Sequence, residues 1–142
     1  MGFELNAAEH IAGLDMHVRA VQQRVRVVVD DTTENGARGA KGFAPVGDGP
    51  DAGRLRAGIR AVTGEGTDTE PTGRVVVDVP YAPYPEFGTG PFVSVPTGLE
   101  EYAREFYVNG KGTSKPQPYL FPAIEAQRAP FYRSLATAVE SR

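Results

Sequence analysis

The sequence predicts an α+β fold: a long N-terminal helix, a mostly antiparallel sheet with long loops, and a C-terminal helix. Three observations carry this prediction. Apolar residues recur every three or four positions near the N-terminus, two short segments alternate between apolar and polar residues, and helical spacing returns at the C-terminus. The chain has 142 residues, the size of one domain with one core, so residues 1–142 are treated as a single domain.

The first helix is predicted over residues 7–31. Its apolar residues are spaced by three and four, which places them along one helical stripe: Ile11, Leu14, Val18, Val21, Val25 and Val28. Two interpretations of this stripe stay open. It packs against the chain's own sheet, or it contacts a neighbouring subunit. The following residues, 32–53, have no period and several turn signals, such as Asn35-Gly36, and are predicted to form a loop.

A β-hairpin is predicted next. Residues 54–63 alternate with period two, which indicates a half-buried strand, and residues 74–79 alternate in the same way. Only the ten residues 64–73 join the two segments, so we expect them to pair antiparallel. The arginines Arg54, Arg56 and Arg60 would then project from one strand face, with Arg74 nearby. They either pair with acids of a neighbouring element or line a surface that faces a polyanion.

Residues 81–90, YAPYPEFGTG, are predicted to form an ordered, turn-rich loop, because prolines lack the N–H that a central strand needs. Within this loop, Glu86 stands between Pro85 and Phe87. A carboxylate in that position is expected to accept hydrogen bonds from backbone N–H groups or to pair with an arginine. The next five residues, PFVSV, are predicted to form a short strand.

The remainder is predicted to contain a small helix that begins near Thr97, an exposed loop over 111–118, and a last helix. The apolar face of the small helix consists of Leu99, Tyr102, Ala103 and Phe106. Pro122 suits the first turn of the last helix, whereas Pro130 lies inside it and should kink or split it.

Composition excludes several functional classes. The chain has no cysteine and two histidines, which rules out a disulfide framework, a thiol nucleophile and a histidine-rich metal site. Its apolar runs are far shorter than the roughly 20 residues of a membrane span. A net charge of -3 is too balanced for a general nucleic-acid binder. No HExxH, GxSxG or Walker motif is present. We therefore expect no enzymatic activity, no cofactor, no metal and no membrane partner.

Three segments, in order, resemble a family of small tail-completion or head–tail joining proteins from long-tailed bacteriophages and prophages. The string YAPYPEFGTG is similar to that family's YA-x-x-x-EFGT signature. Upstream, AP-(x)5-DAGRLRAGI is similar to P-x-DTG-x-LR-x-SI, with Ala52 in place of threonine. Downstream, KPQPYLFPAIE is similar to P-x-PFLRPA-x-E, with Tyr119 in place of phenylalanine and Phe121 in place of arginine. Residues 91–115, with the small helix, form a longer insert than the family pattern has.

This resemblance implies a structural virion protein that forms a ring, typically sixfold, at the neck or upper end of the tail and joins the tail to the DNA-filled head. Its neighbours would be the head-completion or stopper protein, the tail terminator and the tail tube, and it would pass through the host cytoplasm during assembly. The interface residues implied are Tyr81, Tyr84, Glu86, Phe87, Gly88, Thr89, Phe92, Tyr119 and Phe121. If the ring encloses a DNA channel, Arg54, Arg56 and Arg60 are candidates for its lining, in weak contact with passing DNA.

Two alternatives to the joining role stay open. The ring subunit would act as a tail terminator that caps tube growth, or the protein would be a DNA-binding accessory protein that uses its arginines. The second alternative predicts DNA binding that falls steeply with salt.

Overall fold

The computed structural model describes residues 1, 7–104 and 112–141, and it confirms the α+β fold class. Within these residues, a long helix is followed by a two-stranded sheet, several short helices and a C-terminal helix. The elements in chain order are α1 (Ala8–Phe43), α2 (Arg54–Gly58), β1 (Ile59–Gly66), β2 (Pro71–Val77), α3 (Pro83–Phe87), a 3-10 turn (Gly90–Phe92), α4 (Glu100–Arg104), α5 (Leu120–Glu125) and α6 (Arg128–Glu140).

Helix α1 is longer than predicted, and the prediction of a loop from residue 32 is wrong as far as Phe43. Its last turns present small residues to the sheet and to α5. A Cβ built on Gly36 would lie 2.9 Å from Ile124 Cδ1, and one on Gly39 would lie 3.4 Å from Ala123 Cβ. Glycine disfavours a helix by about 1 kcal/mol relative to alanine. Here the close approach that glycine permits, and the burial that follows, outweigh that cost.

The apolar stripe of α1 is divided between two environments. Its second half, formed by Val21, Val25 and Val28, is half-buried. The residues of its first half keep half or more of their surface exposed: Ile11 59%, Leu14 65% and Val18 50%. Packing within the chain therefore accounts for the second half of the stripe only.

In the described part of the chain the sheet consists of one antiparallel pair of strands, which confirms the predicted pairing of the two segments. Ile59 lies opposite Val77 and Val62 opposite Arg74, and the register shifts between Val62 and Glu65. The predicted strand boundaries are wrong. The strands extend further towards the tip, so that only residues 67–70 connect them.

Residues 54–58 are a short helix rather than the start of β1, which corrects the predicted strand over 54–63. The turn begins after Gly53, whose φ of +79° is a left-handed conformation that glycine adopts without strain. Leu55 and Ile59 are both buried. A spacing of four fits one helical turn as well as it fits alternation, so period two did not distinguish the two structures.

The loop over 81–90 is turn-rich, as predicted, and contains the short helix α3. The predicted strand PFVSV is wrong, because the 3-10 turn and irregular backbone occupy those residues. The predicted small helix corresponds to α4, where Ala103 is buried; Phe106 and the Tyr102 side chain lie outside the described part.

The predicted break in the last helix is confirmed. Helix α5 ends at Glu125, and α6 begins at Arg128. Pro130 has no N–H to give to the carbonyl of Ala126, and its ring would clash with that carbonyl in a continuous helix.

One apolar cluster joins the C-terminal half of α1, the start of the hairpin, the segment after β2 and α5. Its buried members are Ala37, Ala40, Ala44, Leu55, Ile59, Val79, Ala82, Tyr119 and Ala123. None of the described helices combines the length and apolar composition required to cross a membrane.

Candidate functional site

The carboxylate of Glu86 joins α3 to the start of α5. Glu86 Oε2 accepts hydrogen bonds from the N–H groups of Tyr119, at 2.8 Å, and Leu120, at 2.9 Å. Glu86 Oε1 accepts a third from the N–H of Phe121, at 2.8 Å. These N–H groups belong to the first turn of α5, where no residue of the helix itself can accept from them. The side chain of Glu86 therefore caps a helix that begins more than thirty residues later in the chain.

Because Glu86 is buried, these hydrogen bonds are important for the stability of the fold. Only 6% of the residue is exposed, and a buried carboxylate is costly unless charged hydrogen bonds compensate for its lost hydration. Both oxygens are engaged by backbone donors. Of the two predicted partners, backbone N–H groups and an arginine, the structure confirms the first.

Tyr119 adds a second link between the same two segments. Its hydroxyl donates to the carbonyl of Ala82 at 3.1 Å, and only 1% of the residue is exposed. The hydroxyl therefore has an acceptor inside the core, and it satisfies a buried carbonyl just before α3.

Three segments quoted in the sequence analysis, residues 44–59, 81–90 and 115–125, meet at this place. Leu55 and Ile59 from the first segment pack in one apolar cluster with Tyr119 from the third. The second segment supplies Glu86, which binds the third through its backbone. Segments separated by twenty or more residues therefore form one contiguous unit.

The loop after α3 is tied to residues just before α5. Thr89 exchanges two bonds with Ser114: its N–H donates to the Ser114 carbonyl at 2.8 Å, and its Oγ1 accepts from the Ser114 N–H at 2.8 Å. The N–H of Gln117 donates to the carbonyl of Pro85 at 2.7 Å. Between them, Gly88 has a φ of +77°, and a Cβ there would lie 2.9 Å from the Phe92 carbonyl oxygen. Both the positive φ and the close approach to the Phe92 carbonyl require glycine at this position.

The predicted interface residues fall into three groups by exposure. Four are buried within the chain: Glu86, Phe87, Gly88 and Tyr119. Two are half-buried: Tyr81 and Thr89. The remaining three are each 40% exposed: Tyr84, Phe92 and Phe121. Only the last group presents much side-chain surface to another molecule.

The arginines do not share one strand face, which corrects the sequence prediction. Arg54 and Arg56 belong to α2, and only Arg60 belongs to β1. Arg60 Nε lies 2.6 Å from an Asp78 carboxylate oxygen, and Arg54 lies 3.7 Å from a carboxylate oxygen of Asp51. Arg56 donates to the Ala44 carbonyl at 3.2 Å. Two of the three charges thus have carboxylate partners within the chain.

A fourth arginine, Arg74 on β2, forms a two-bonded pair with Glu65 on β1, with both distances 2.8 Å. The hydrogen bond from Arg74 lowers the pKa of the Glu65 carboxyl below its ordinary value, against desolvation, which raises it. The same bond raises the pKa of Arg74. The pair is exposed, so its contribution to the stability of the fold is small.

Sequence reasoning missed the polar anchors on α1. Arg24 donates to the carbonyls of Ala138 at 2.9 Å and Ser141 at 2.7 Å, near the end of α6. Arg26 donates to the carbonyls of Glu65 at 3.1 Å and Thr67 at 2.9 Å. All four acceptors are backbone carbonyls, so the pattern of side chains in the sequence does not indicate these hydrogen bonds.

Among the described residues, no three histidine, cysteine, aspartate or glutamate side chains come together as a metal site would require. Comparison of the chain with protein-family models, curated proteins and solved structures gives no match.

Proposed function

We propose that this chain is a non-enzymatic structural protein of a bacteriophage virion, a subunit of a ring at the head–tail junction that joins the tail to the DNA-filled head. One observation carries the proposal. The three segments that resemble tail-completion proteins form a single unit around Glu86 and Tyr119. Contact between the three segments is what a shared structural role for them requires, and this contact supports the proposal.

The bonding of Glu86 is that of a structural residue. Both carboxylate oxygens accept from backbone N–H groups, so the carboxylate is held in place rather than presented to a substrate. Such a clamp fixes α3 against α5 and gives a rigid unit, which a ring subunit needs if its contacts are to repeat around the ring.

The exposed aromatic residues are the proposed subunit contacts. Tyr84, Phe92 and Phe121 are each 40% exposed and lie on α3, the 3-10 turn and α5. Glu86 ties α3 to α5, and the N–H of Ser94 donates to the carbonyl of Phe87 at 2.8 Å, which ties the turn to α3. Aromatic residues are enriched in interface cores. The proposal gives the buried members of the predicted set the role of holding these three in place.

Electron microscopy of lysates from a phage or prophage that lacks this gene tests the proposal. A joining role predicts filled heads beside separate tails of normal length, with complete particles restored when the wild-type gene is supplied. Overlong or absent tails would instead assign the protein to tail termination or tail assembly. Normal infectious particles would contradict the whole proposal.

A further inference from the structure

Among the residues that the structure describes, β2 pairs with β1 along one edge and with no strand along the other. The alternation of hydrogen bonds between β1 and β2 shows which backbone groups face the unpaired edge. The N–H of Asp78 donates to the carbonyl of Gly58 at 2.9 Å, so residues 58 and 78 form a hydrogen-bonded pair. In an antiparallel ladder these pairs alternate with pairs that are not hydrogen-bonded. In the observed register, Val76 and Arg74 therefore bond to β1. Val75 and Val77 direct their N–H and C=O groups away from β1, towards the free edge.

A groove lies along that edge. It has a volume of about 770 Å3; α1 contributes Val29 and Thr33, and α5 and α6 contribute Leu120, Ile124 and Phe131. A second cavity of about 410 Å3 shares Val75, Val76 and Leu120 with the first and extends past Val77 towards α3. The two together follow β2 along its length. Unpaired strand edges of this kind are templates for pairing with another chain.

The groove carries little net charge. Arg74, on β2, is paired with Glu65 at 2.8 Å. Arg128, at the start of α6, is paired with Glu125 at 3.0 Å. Because each of these cations already has a carboxylate partner, the complementary ligand is an uncharged one rather than a polyanion or an acidic peptide.

We propose that the groove binds one extended, uncharged polypeptide segment, which adds to the sheet as a third strand beside β2. Main-chain bonds to Val75 and Val77 would supply the affinity, and alternate apolar side chains would pack on Leu120, Ile124 and Phe131. Helices α5 and α6 form the far wall of the groove. The space therefore suits a single donated segment and not the edge of a second complete sheet with its own helices. This inference does not rest on the virion proposal.

The test joins a probe strand to the full chain. The peptide Thr-Val-Thr-Val-Thr-Val-Thr is fused after Arg142 through a flexible Gly/Ser linker of about 20 residues, whose mean span is roughly 25 Å. Tethering places the peptide at about millimolar concentration, so even a weak site is filled. Amide hydrogen exchange is then followed by NMR in the fused and the unfused protein.

Occupancy of the groove predicts that the amides of Val75 and Val77 exchange at least about tenfold more slowly in the fusion than in the unfused chain. The amides of Arg74 and Val76, already in the ladder, serve as internal references. A matched fusion with Thr-Pro-Thr-Pro-Thr-Pro-Thr, which lacks alternate N–H groups, should give no protection. Unchanged exchange at Val75 and Val77 with the valine peptide, or full protection of both before fusion, would overturn the proposal.

A wall variant localises the effect. Ile124→Asp places a charge in the groove and should abolish the protection, whereas Ile11→Asp, at an equally apolar but distant position on α1, should preserve it. If Ile124→Asp does not fold, Phe131→Asp tests the same wall. Protection that survives a folded wall variant would show that the peptide binds elsewhere and would overturn the proposal.

Discussion

The backbone of Tyr119 is bound by the side chain of Glu86, which lies 33 residues earlier in the chain. The same carboxylate also accepts hydrogen bonds from the N–H groups of Leu120 and Phe121. In the other direction, the Tyr119 hydroxyl donates to the carbonyl of Ala82. Each segment thus satisfies buried polar groups of the other. Neither would be stable in its present conformation without the other, because unpaired buried polar groups are costly.

Replacing Glu86 tests this mutual dependence. Glu86→Gln removes the charge and turns an N–H donor towards backbone N–H groups. We expect a loss of about 2–4 kcal/mol in the free energy of unfolding, since hydrogen bonds to charged groups are the strong ones and orphaned buried donors add to the loss. Urea denaturation followed by circular dichroism measures it.

The matched control is Glu125→Gln, which removes an exposed carboxylate paired with Arg128. Its effect should stay within about 1 kcal/mol. If both variants changed stability equally, Glu86 would be an ordinary surface acid in energetic terms, and the structural role given to it would be wrong.

Two glycines give opposite predictions for the same substitution. A Cβ on Gly73 would overlap the hydroxyl of Thr33, whereas a Cβ on Gly42 meets nothing within 4 Å. Gly73→Ala should therefore destabilise the fold by about 1–3 kcal/mol through overpacking. Gly42→Ala, in a helix, should stabilise it by about 0.5–1 kcal/mol. Thermal unfolding of the two variants measures both changes in stability. If Gly73→Ala left the stability unchanged, α1 would not approach β2 as closely as observed.

The pair between Glu65 and Arg74 predicts a pH effect of known sign. Arg74 lowers the pKa of the Glu65 carboxyl, so the contribution of the pair is complete above the ordinary pKa of 4.5 and is lost as the pH falls through the lowered value. Arg74→Gln should move the Glu65 pKa back up towards 4.5. An NMR titration of the Glu65 side chain measures this shift. A Glu65 pKa that is the same with and without Arg74 would refute the pairing in solution.

The arginines near α2 give a prediction about DNA. Arg54 and Arg60 have carboxylate partners, so little positive charge is left to attract a phosphate backbone. Replacing Arg54, Arg56 and Arg60 with glutamine should leave the fold intact and change duplex binding by less than about threefold at low salt. Fluorescence anisotropy with a labelled duplex measures the binding. A large decrease, with a weaker salt dependence, would instead support a lining of the DNA channel by these residues.

The fold class, the antiparallel hairpin and the break before Pro130 could be predicted because each depends on local spacing or on one residue's chemistry. The loop predicted from residue 32 could not be corrected from sequence. In the sequence, Gly36 and Gly39 indicate the end of a helix. Only the structure shows that Ile124 and Ala123 pack against them, which explains why glycine occurs within the helix. Similarly, the residue types around Glu86 indicated a carboxylate bound by backbone donors, but nothing in the sequence identified Tyr119 as the first of them.

Reconstitution in vitro is the measurement that tests the joining role most directly. Lysate from a phage that lacks this gene is mixed with the purified protein, and infectious particles are counted. A joining subunit predicts that the protein restores infectivity to filled heads and free tails of normal length, whereas Glu86→Gln at the same concentration restores less. If heads and tails are both present and competent, yet the wild-type protein restores nothing, the central claim of a head–tail joining subunit is contradicted.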